Sequence, residues 1–420
     1  MGMFRWITAG ESHGPGLTAI VEGIPAGLYI TEEYIGVDMA RRQRGYGRGG
    51  RMLIERDWAI IRSGVRHGYT MGSPISMLVD NRDWANWTEP MSIAPVDKNF
   101  DPVTRLRPGH ADIPGTMKYN QGDVRPILER SSAREFAARV AAGAVARRFL
   151  EELGVEIHSH VTCIGGVHAK VSFPVDWNMA ETYMTAHRAC NGAGCDACSG
   201  EGKVFAVRCA DPETSEQMVD AIEAARAAGD TVGGIVEVVA TGAPMGLGTH
   251  IQWDRKLSTK IMAAIGSLNA VKGVEIGTGF EHGDMRGSIT HDVVLPMSEW
   301  KEEPSPFGPW KRPWQRRTNN AGGLEGGMTN GEPIIVKAVV KPIATMINPL
   351  PSVDLHTGEV VQAHYERSDI TFVPTVGVVG ESMLALVLAE AALEKFGGDH
   401  MDETLRNLKG YLDTLGPRGV

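Results

Sequence analysis

The 420-residue chain predicts an α+β fold in one large domain. Strand-like and helix-like segments interleave without a strict βαβ rhythm, which argues against a doubly wound sheet. Glycine (51 residues) and proline (23) are spread throughout and divide the chain into many short elements. No repeat of roughly 20 to 50 residues and no low-complexity tract is present, which sets aside a solenoid or a disordered tail.

In chain order, β-branched content marks strands at Leu17–Val21 and Ile75–Val79. Ser132-Ala133-Arg134-Glu135 reads as a capping box before an alanine-rich helix, Ala137–Leu153. His158, Ser159, His160 and Cys163 have the spacing of a half-buried strand. Thr214–Gln217 reads as a second box, opening a helix to about Ala228 before Gly229. A strand at Gly234–Val239, a helix at Leu257–Val271 and a strand at Ile334–Val340 follow. Helices at Ser382–Phe396, stopped by Gly397-Gly398, and at Asp402–Leu415 close the chain. Two segments read as insertions within a single domain spanning 1–420. Residues 188–205 are rich in Gly and Cys, and residues 300–317 hold three Trp, four Pro and five basic residues with no helical or strand period.

The net charge of −9 argues against a general nucleic-acid binder. The arginines are nevertheless clustered: eight fall between Arg41 and Arg66, and Arg105, Arg107, Arg125, Arg130 and Arg134 form a second group. An acidic chain with local arginine clusters suggests a compact anion site, because the guanidinium fork bonds carboxylate and phosphate oxygens in pairs and stays charged when desolvated. Glu381 and Glu390 interrupt the best apolar run, which falls short of the roughly 18 to 20 residues of a membrane span. Met1–Trp6 lacks the apolar stretch of a signal peptide, so a cytoplasmic enzyme with neither membrane nor nucleic-acid partner is expected.

Five blocks carry residues suited to chemistry. Gly10-Glu11-Ser12-His13-Gly14-Pro15-Gly16 exposes a histidine between glycines that let a ligand approach the backbone. Arg41 to Arg51 alternates Arg with Gly, offering guanidinium forks and backbone N–H groups to a phosphate. Arg107-Pro108-Gly109-His110-Ala111-Asp112 sets a histidine between an arginine and a carboxylate, the setting of an acid–base group. Glu129-Arg130-Ser131-Ser132-Ala133-Arg134-Glu135 joins a helix start to two arginines. Asn319 to Gly327 leads into the strand that ends at Lys341-Pro342-Ile343-Ala344-Thr345, and Arg367-Ser368-Asp369 precedes the next helix.

In this order the blocks resemble the chorismate synthases, from Trp6 to about Asp399 and sparing the two insertions. The resemblance implies a helical core sandwiched between antiparallel β-sheet layers and a homotetramer. It implies a carbon–oxygen lyase that uses reduced FMN for the 1,4-anti elimination of phosphate from 5-enolpyruvylshikimate 3-phosphate, giving chorismate. By carry-over, His13 protonates the departing phosphate, His110 stabilises the anionic edge of the reduced flavin, and Asp369 helps the flavin take up the ring proton. Ser12, Arg42, Arg48, Arg107 and Arg134 then hold the substrate or NADPH. FMN contacts map to Arg130, Ser131, Ser132, Asn269, Ala270, Gly326, Lys341, Pro342, Ile343, Ala344, Thr345 and Arg367. The flavin is reduced either by NADPH on this chain or by an external flavin reductase. Phe136, Thr371 and Phe372 depart from the family's usual residues.

Gly192-Ala193-Gly194-Cys195-Asp196-Ala197 satisfies a dinucleotide fingerprint in letters, but follows a helix-like stretch and is rejected. No metal is expected in the core. Cys190, Cys195, Cys198 and Cys209, with His187 upstream, are spaced as zinc ligands could be. An FMN-dependent oxidoreductase acting on an anionic phosphorylated substrate, and a non-catalytic phosphate-binding protein, are the alternatives.

Overall fold

The computed structural model describes residues 4–48, 57–181, 207–299, 314–366 and 368–416. The 188–205 insertion, with the fingerprint-like glycines, lies outside the described residues, as do residues 300–313 of the second. The end of that second insertion is not periodless: Trp314–Arg316 pairs antiparallel with Val294–Pro296, and Gln315 is buried.

The first sheet is built from β1 (Arg5–Ala9), β2 (Gly16–Glu22), β3 (Ala59–Ser63) and β4 (Ile75–Asp80), in the order β1-β2-β4-β3, all antiparallel. Leu17, Ala19 and Val21 face Val79, Met77 and Ile75 across the β2–β4 ladder. All six are buried, so the alternation in the sequence sets the register. The second sheet comprises β5 (Glu156–Ile164), β6 (Val167–His168), β7 (Gly234–Thr241), β8 (Val271–Ile276) and β9 (Ile334–Val340), in the antiparallel order β8-β9-β7-β5-β6. The expected strand around His160 is β5, but His160 is wholly buried rather than half-buried, because its Nε2 lies 3.0 Å from Glu237 on β7.

Sequence reading missed α1 (Glu32–Arg42), which Thr31 caps by accepting the Tyr34 N–H, and two short helices, α2 (Asp112–Tyr119) and α3 (Arg125–Ser131). Between the sheets lie α4 (Phe136–Glu152) and, later in the chain, a 24-residue helix, Val373–Phe396. Before it come α5 (Pro212–Ala228) and α6 (Leu257–Gly266), so the long helix is α7; α8 is Met401–Leu412. α4 packs on β2 and α7 packs on β5 and β7, giving the expected helical core between antiparallel layers. The two helices meet at Gly143, where a Cβ would lie 2.3 Å from the Ser382 Cβ. On the sheet side of α7, a Cβ on Gly380 would come within 3.0 Å of Val238.

Three boundaries differ from expectation. α7 starts nine residues before Ser382, at Val373, because close packing rewards the glycines and β-branched residues that local propensity penalises. It is long and apolar enough to cross a membrane by composition, yet 94% of its apolar window is buried inside the fold. α6 stops at Gly266, and Val271 opens β8 instead of ending the helix. Asp211, not Thr214, caps α5, its carboxylate accepting the Thr214 N–H at 3.3 Å.

Glu381, in the middle of α7, is fully buried. It accepts from Arg41 of α1 (2.7 and 2.9 Å) and Arg147 of α4 (2.5 Å), and Arg208 Nη2 lies 3.3 Å away. Among the described residues, Asp38 and Glu181 join the cluster, which balances three arginines with three carboxylates. Burial alone would raise the Glu381 carboxyl, but the guanidinium groups outweigh it and hold it well below the usual range. A carboxylate depressed by folding contributes stability that is complete above its ordinary value of 4.5 and is lost as pH falls through the depressed value. Glu381→Gln is therefore expected to cost roughly 3 to 5 kcal/mol by leaving buried arginines short of a partner. Equilibrium urea unfolding would read that loss, and the variant should shed less of its stability than the native chain between neutral pH and pH values below 4.5.

Candidate active site

A cavity of about 500 Å³ opens where several chain reversals meet. The β1–β2 turn brings His13, the end of α1 brings Arg42, and the loop beyond brings Arg48. Ahead of α2 come Arg107 and His110; the α3–α4 junction brings Ser131, Ser132 and Arg134. The α6–β8 turn supplies Asn269 and Ala270, the segment after β9 supplies Lys341, Ile343, Ala344 and Thr345, and the approach to α7 supplies Asp369. Among the described residues, six cationic side chains line the cavity (Arg42, Arg48, Arg107, Arg134, Lys272 and Lys341) against the two carboxylates Glu366 and Asp369. That excess suits a ligand with several negative charges.

Each of the four arginines is held by a carboxylate. Asp57, itself buried, bonds Arg42 and lies 3.0 Å from Arg134, so one carboxylate aligns two guanidinium groups. Arg48 Nε lies 3.0 Å from Asp369, and its Nη1 donates to Thr375. The preceding Gly47 has φ +84°, its carbonyl accepts the Ile370 N–H at 2.8 Å, and a Cβ there would meet Thr371 at 2.9 Å. Thr371 therefore packs against the arginine loop, Phe372 lines the cavity, and Phe136 is in the core.

The two histidines sit in matching settings. His110 Nδ1 bonds Asp112, which also accepts from Arg107 Nε at 2.9 Å, while Arg107 Nη1 donates to Thr345 at 3.2 Å. Burial would raise the Asp112 carboxyl, but the His110 and Arg107 bonds outweigh it and hold it well below the usual range. His13 Nδ1 lies 2.9 Å from Glu129 Oε1, with Arg125 3.3 Å beyond. Glu366 is held down to about 2, chiefly by its bond to His364 and against the effect of burial. A small apolar cluster of Leu106, Val124 and Leu128 pins the segment carrying Arg107 against α3.

The turn Ser267–Ala270 shows why the α6 boundary matters. Asn269 Nδ2 donates to the Ser131 carbonyl at 2.9 Å, and Ala270 takes φ +68°, a conformation costly for a residue with a Cβ. The Ala270 carbonyl accepts the Lys341 N–H at 2.9 Å, tying three walls of the cavity together.

Not every expected residue is there. Ser12 is buried beside the cavity without lining it, and Pro342 also stays off its surface. Arg130 instead donates to the Thr8 and Gly10 carbonyls at 3.0 and 3.2 Å. Gly326 occupies the turn between Leu324–Glu325 and Met328–Thr329, outside the cavity lining, where its φ of +59° serves a hairpin. Arg367 lies outside the described residues. Glu135 does not close a capping box; it pairs with Arg139 at 2.8 Å, and Ser132 begins a single 3-10 turn. Arg41 belongs to the core cluster and not to the anion site, because its helix face points at Glu381. Cys209 is buried in the main apolar cluster, and burial pushes its thiol up to about 11. Cys190, Cys195, Cys198 and His187 lie outside the described residues. Sequence reading gave no role to Glu129, Asp57, Lys272 or Trp87; only Glu129 stood in a recognised block, and nothing local marked the others.

Burial and Lys272 together hold Lys341 below its usual value. Sulfate affinity, read by calorimetry, is expected to fall as pH rises through that lowered value, earlier than the roughly 10.4 of a free lysine. Lys272→Met should weaken binding at neutral pH yet move the fall upward. A fall at the free-lysine value in both proteins would contradict the coupling.

A family model described as Chorismate synthase matches residues 4–393. The chain is 51% identical over 416 residues to the chorismate synthase of Geobacter metallireducens, covering 98% of this chain and 99% of that one. It is 48% identical over 421 residues to that of Thermobifida fusca, with 98% and 99% covered. A solved structure titled "Crystal Structure of Chorismate Synthase" superposes with a TM-score of 0.70 at 38% identity, covering 98% of each chain.

Proposed function

The chain belongs to the chorismate synthase family, and from that premise we propose how its own residues carry out the family's elimination. The enzyme is a lyase that removes phosphate from 5-enolpyruvylshikimate 3-phosphate to give chorismate. One C–O bond breaks, one ring proton leaves and a C=C bond forms, with no net redox change. The observation that carries the residue-level reading is the cation-lined cavity with two histidines, each backed by a buried carboxylate.

The substrate carries two carboxylates and a phosphate, and Arg42, Arg48, Arg107 and Arg134 hold it against its own repulsion. Asp57, Asp112 and Asp369 keep those guanidinium groups oriented, so little side-chain freedom is lost on binding. His13 gives a proton to the departing phosphate. His110, held through Nδ1 by Asp112, turns its other ring edge to the cavity to stabilise negative charge at the cofactor's edge. Asp369 helps pass on the ring proton.

The family's cofactor is a flavin, and the cavity suits FMN. A flat ring needs an apolar slot, supplied by Val271, Ile343, Ala344 and Phe372; its polar edge needs partners such as Asn269, Ser131 and Ser132; its phosphate needs a cation, Lys341 or Lys272. Bound in reduced form, FMN would supply the electron density that breaking the C–O bond calls for. Reduction by NADPH on this chain or by a separate reductase, a homotetrameric assembly and a cytoplasmic setting complete the proposal.

The decisive assay is anaerobic, with the enolpyruvyl substrate and chemically reduced FMN. Chorismate and phosphate should form in equal amounts over many turnovers per flavin; one reductant consumed per turnover would favour an oxidoreductase, and absence of both products would overturn the assignment. His13→Ala is expected to lower kcat by roughly 10²- to 10⁴-fold with flavin binding retained. His110→Ala should instead weaken binding of reduced FMN, measured by anaerobic titration.

A further inference from the structure

Three contacts join Glu129 to the loop that carries His13. The Ser12 N–H donates to the Glu129 carbonyl at 3.1 Å, the His13 N–H donates to Oε2 at 2.7 Å, and His13 Nδ1 lies 2.9 Å from Oε1. The Glu129 side chain is 1% exposed, so these bonds are shielded from water. Trp87 covers the imidazole with ring centroids 4.0 Å apart. Arg125 donates to the same oxygen, Oε1, at 3.3 Å and to Glu366 at 3.2 Å, and offsets the buried negative charge.

A carboxylate offers acceptors only. Its partner at the ring must therefore donate, which fixes the neutral imidazole as the Nδ1–H tautomer and leaves Nε2 for the cavity. We propose that Glu129 is a positioning residue for His13: by accepting the Nδ1 proton and the His13 backbone N–H together, it fixes which ring nitrogen meets the departing phosphate. This rests on the reading of His13 as the proton donor: the donating ring is doubly protonated, gives its Nε2 proton to the departing phosphate and is left as the neutral Nδ1–H tautomer. The contacts with the backbone shape the loop, whereas the contact with Nδ1 sets the tautomer, and the two effects separate on substitution.

Glu129→Gln keeps the shape but introduces an NH2 group. Two of the groups it faces, the His13 N–H and Arg125, can only donate, whereas the imidazole can reverse its role. The carboxamide oxygen is expected to stay on the His13 N–H, the shorter contact at 2.7 Å, which turns the NH2 toward Nδ1 and Arg125; Arg125 keeps Glu366, 3.2 Å away, as its acceptor, and the neutral ring moves its proton to Nε2. The Nε2–H of a neutral ring is too weak an acid to replace the doubly protonated donor, and the doubly protonated ring is disfavoured in the variant because Nδ1–H would face another donor.

The test is ¹⁵N NMR of the histidine side chains in the full-length protein, with His13 signals identified by their absence in His13→Ala, alongside steady-state kinetics. In the native chain the neutral His13 ring should carry its proton on Nδ1; a proton on Nε2 would overturn the proposal without any variant at position 129. In Glu129→Gln the proton should shift to Nε2, with kcat reduced by about 10²-fold or more and KM changed by less than about 3-fold. Glu129→Asp, which keeps both acceptors at the loss of one methylene, should retain the Nδ1–H tautomer and more activity than the Gln variant. Equal or lower activity in Glu129→Asp, or an unshifted tautomer in Glu129→Gln, would count against it. Failure of the underlying reading looks different: His13→Ala would then keep its kcat while the tautomer still followed residue 129.

Discussion

The Glu381 cluster is the constraint on which the arrangement of the molecule rests. A buried carboxylate is costly unless it is paired and fully hydrogen-bonded, and Glu381 meets that demand only if α1, α4 and the Arg208 segment all reach it at once. Ser159 of β5 also donates to it, which ties the second sheet to the same point. An apolar core fixes distances loosely, since Leu, Val and Ala tolerate small rotations of a helix. Directional bonds from a central acid do not. The cluster thus sets the rotation of α1 about its axis, and that rotation decides what the adjacent arginines do.

Arg41 and Arg42 illustrate the consequence. Successive residues on a helix point about 100° apart, so with Arg41 locked onto Glu381 and Asp38, Arg42 is directed elsewhere. It meets Asp57 and the cavity wall. Stability and binding are therefore coupled through two neighbouring side chains of one type with opposite duties. The same economy appears where Gly47 permits the close contact with Thr371 that brings Arg48 to Asp369.

Behind the cavity surface, carboxylates do most of the orienting. Asp57 serves two arginines, Asp112 serves Arg107 and His110, and Glu129 serves His13 and Arg125. Each offsets part of the positive charge that would otherwise repel within the lining, and each is buried, so its bonds are not screened by water. The lining still keeps more cations than acids, which leaves net attraction for a multiply charged ligand and a set of forks already aimed at it.

The sequence by itself determined the mixed fold class, five strands of the two sheets (β2, β4, β5, β7 and β9), the alanine-rich α4, and the blocks that hold His13, Arg42, Arg48, Arg107, His110, Arg134 and Asp369. These are legible because period, capping and glycine placement act over a few residues, and because a histidine or arginine between glycines has few structural reasons to be there. Only the tertiary structure decided that α7 runs through Gly377 and Gly380, that α6 breaks so Asn269 and Ala270 can reach Ser131 and Lys341, and that Arg41 and Arg130 leave the anion site. It also supplied Asp57, Lys272 and Trp87, and gave Glu129 its partner. These depend on contacts between residues tens to hundreds of positions apart, such as His13 with Glu129 or Arg41 with Glu381. No local pattern encodes such pairs, because the energy that selects them arises only once burial has removed the competing water.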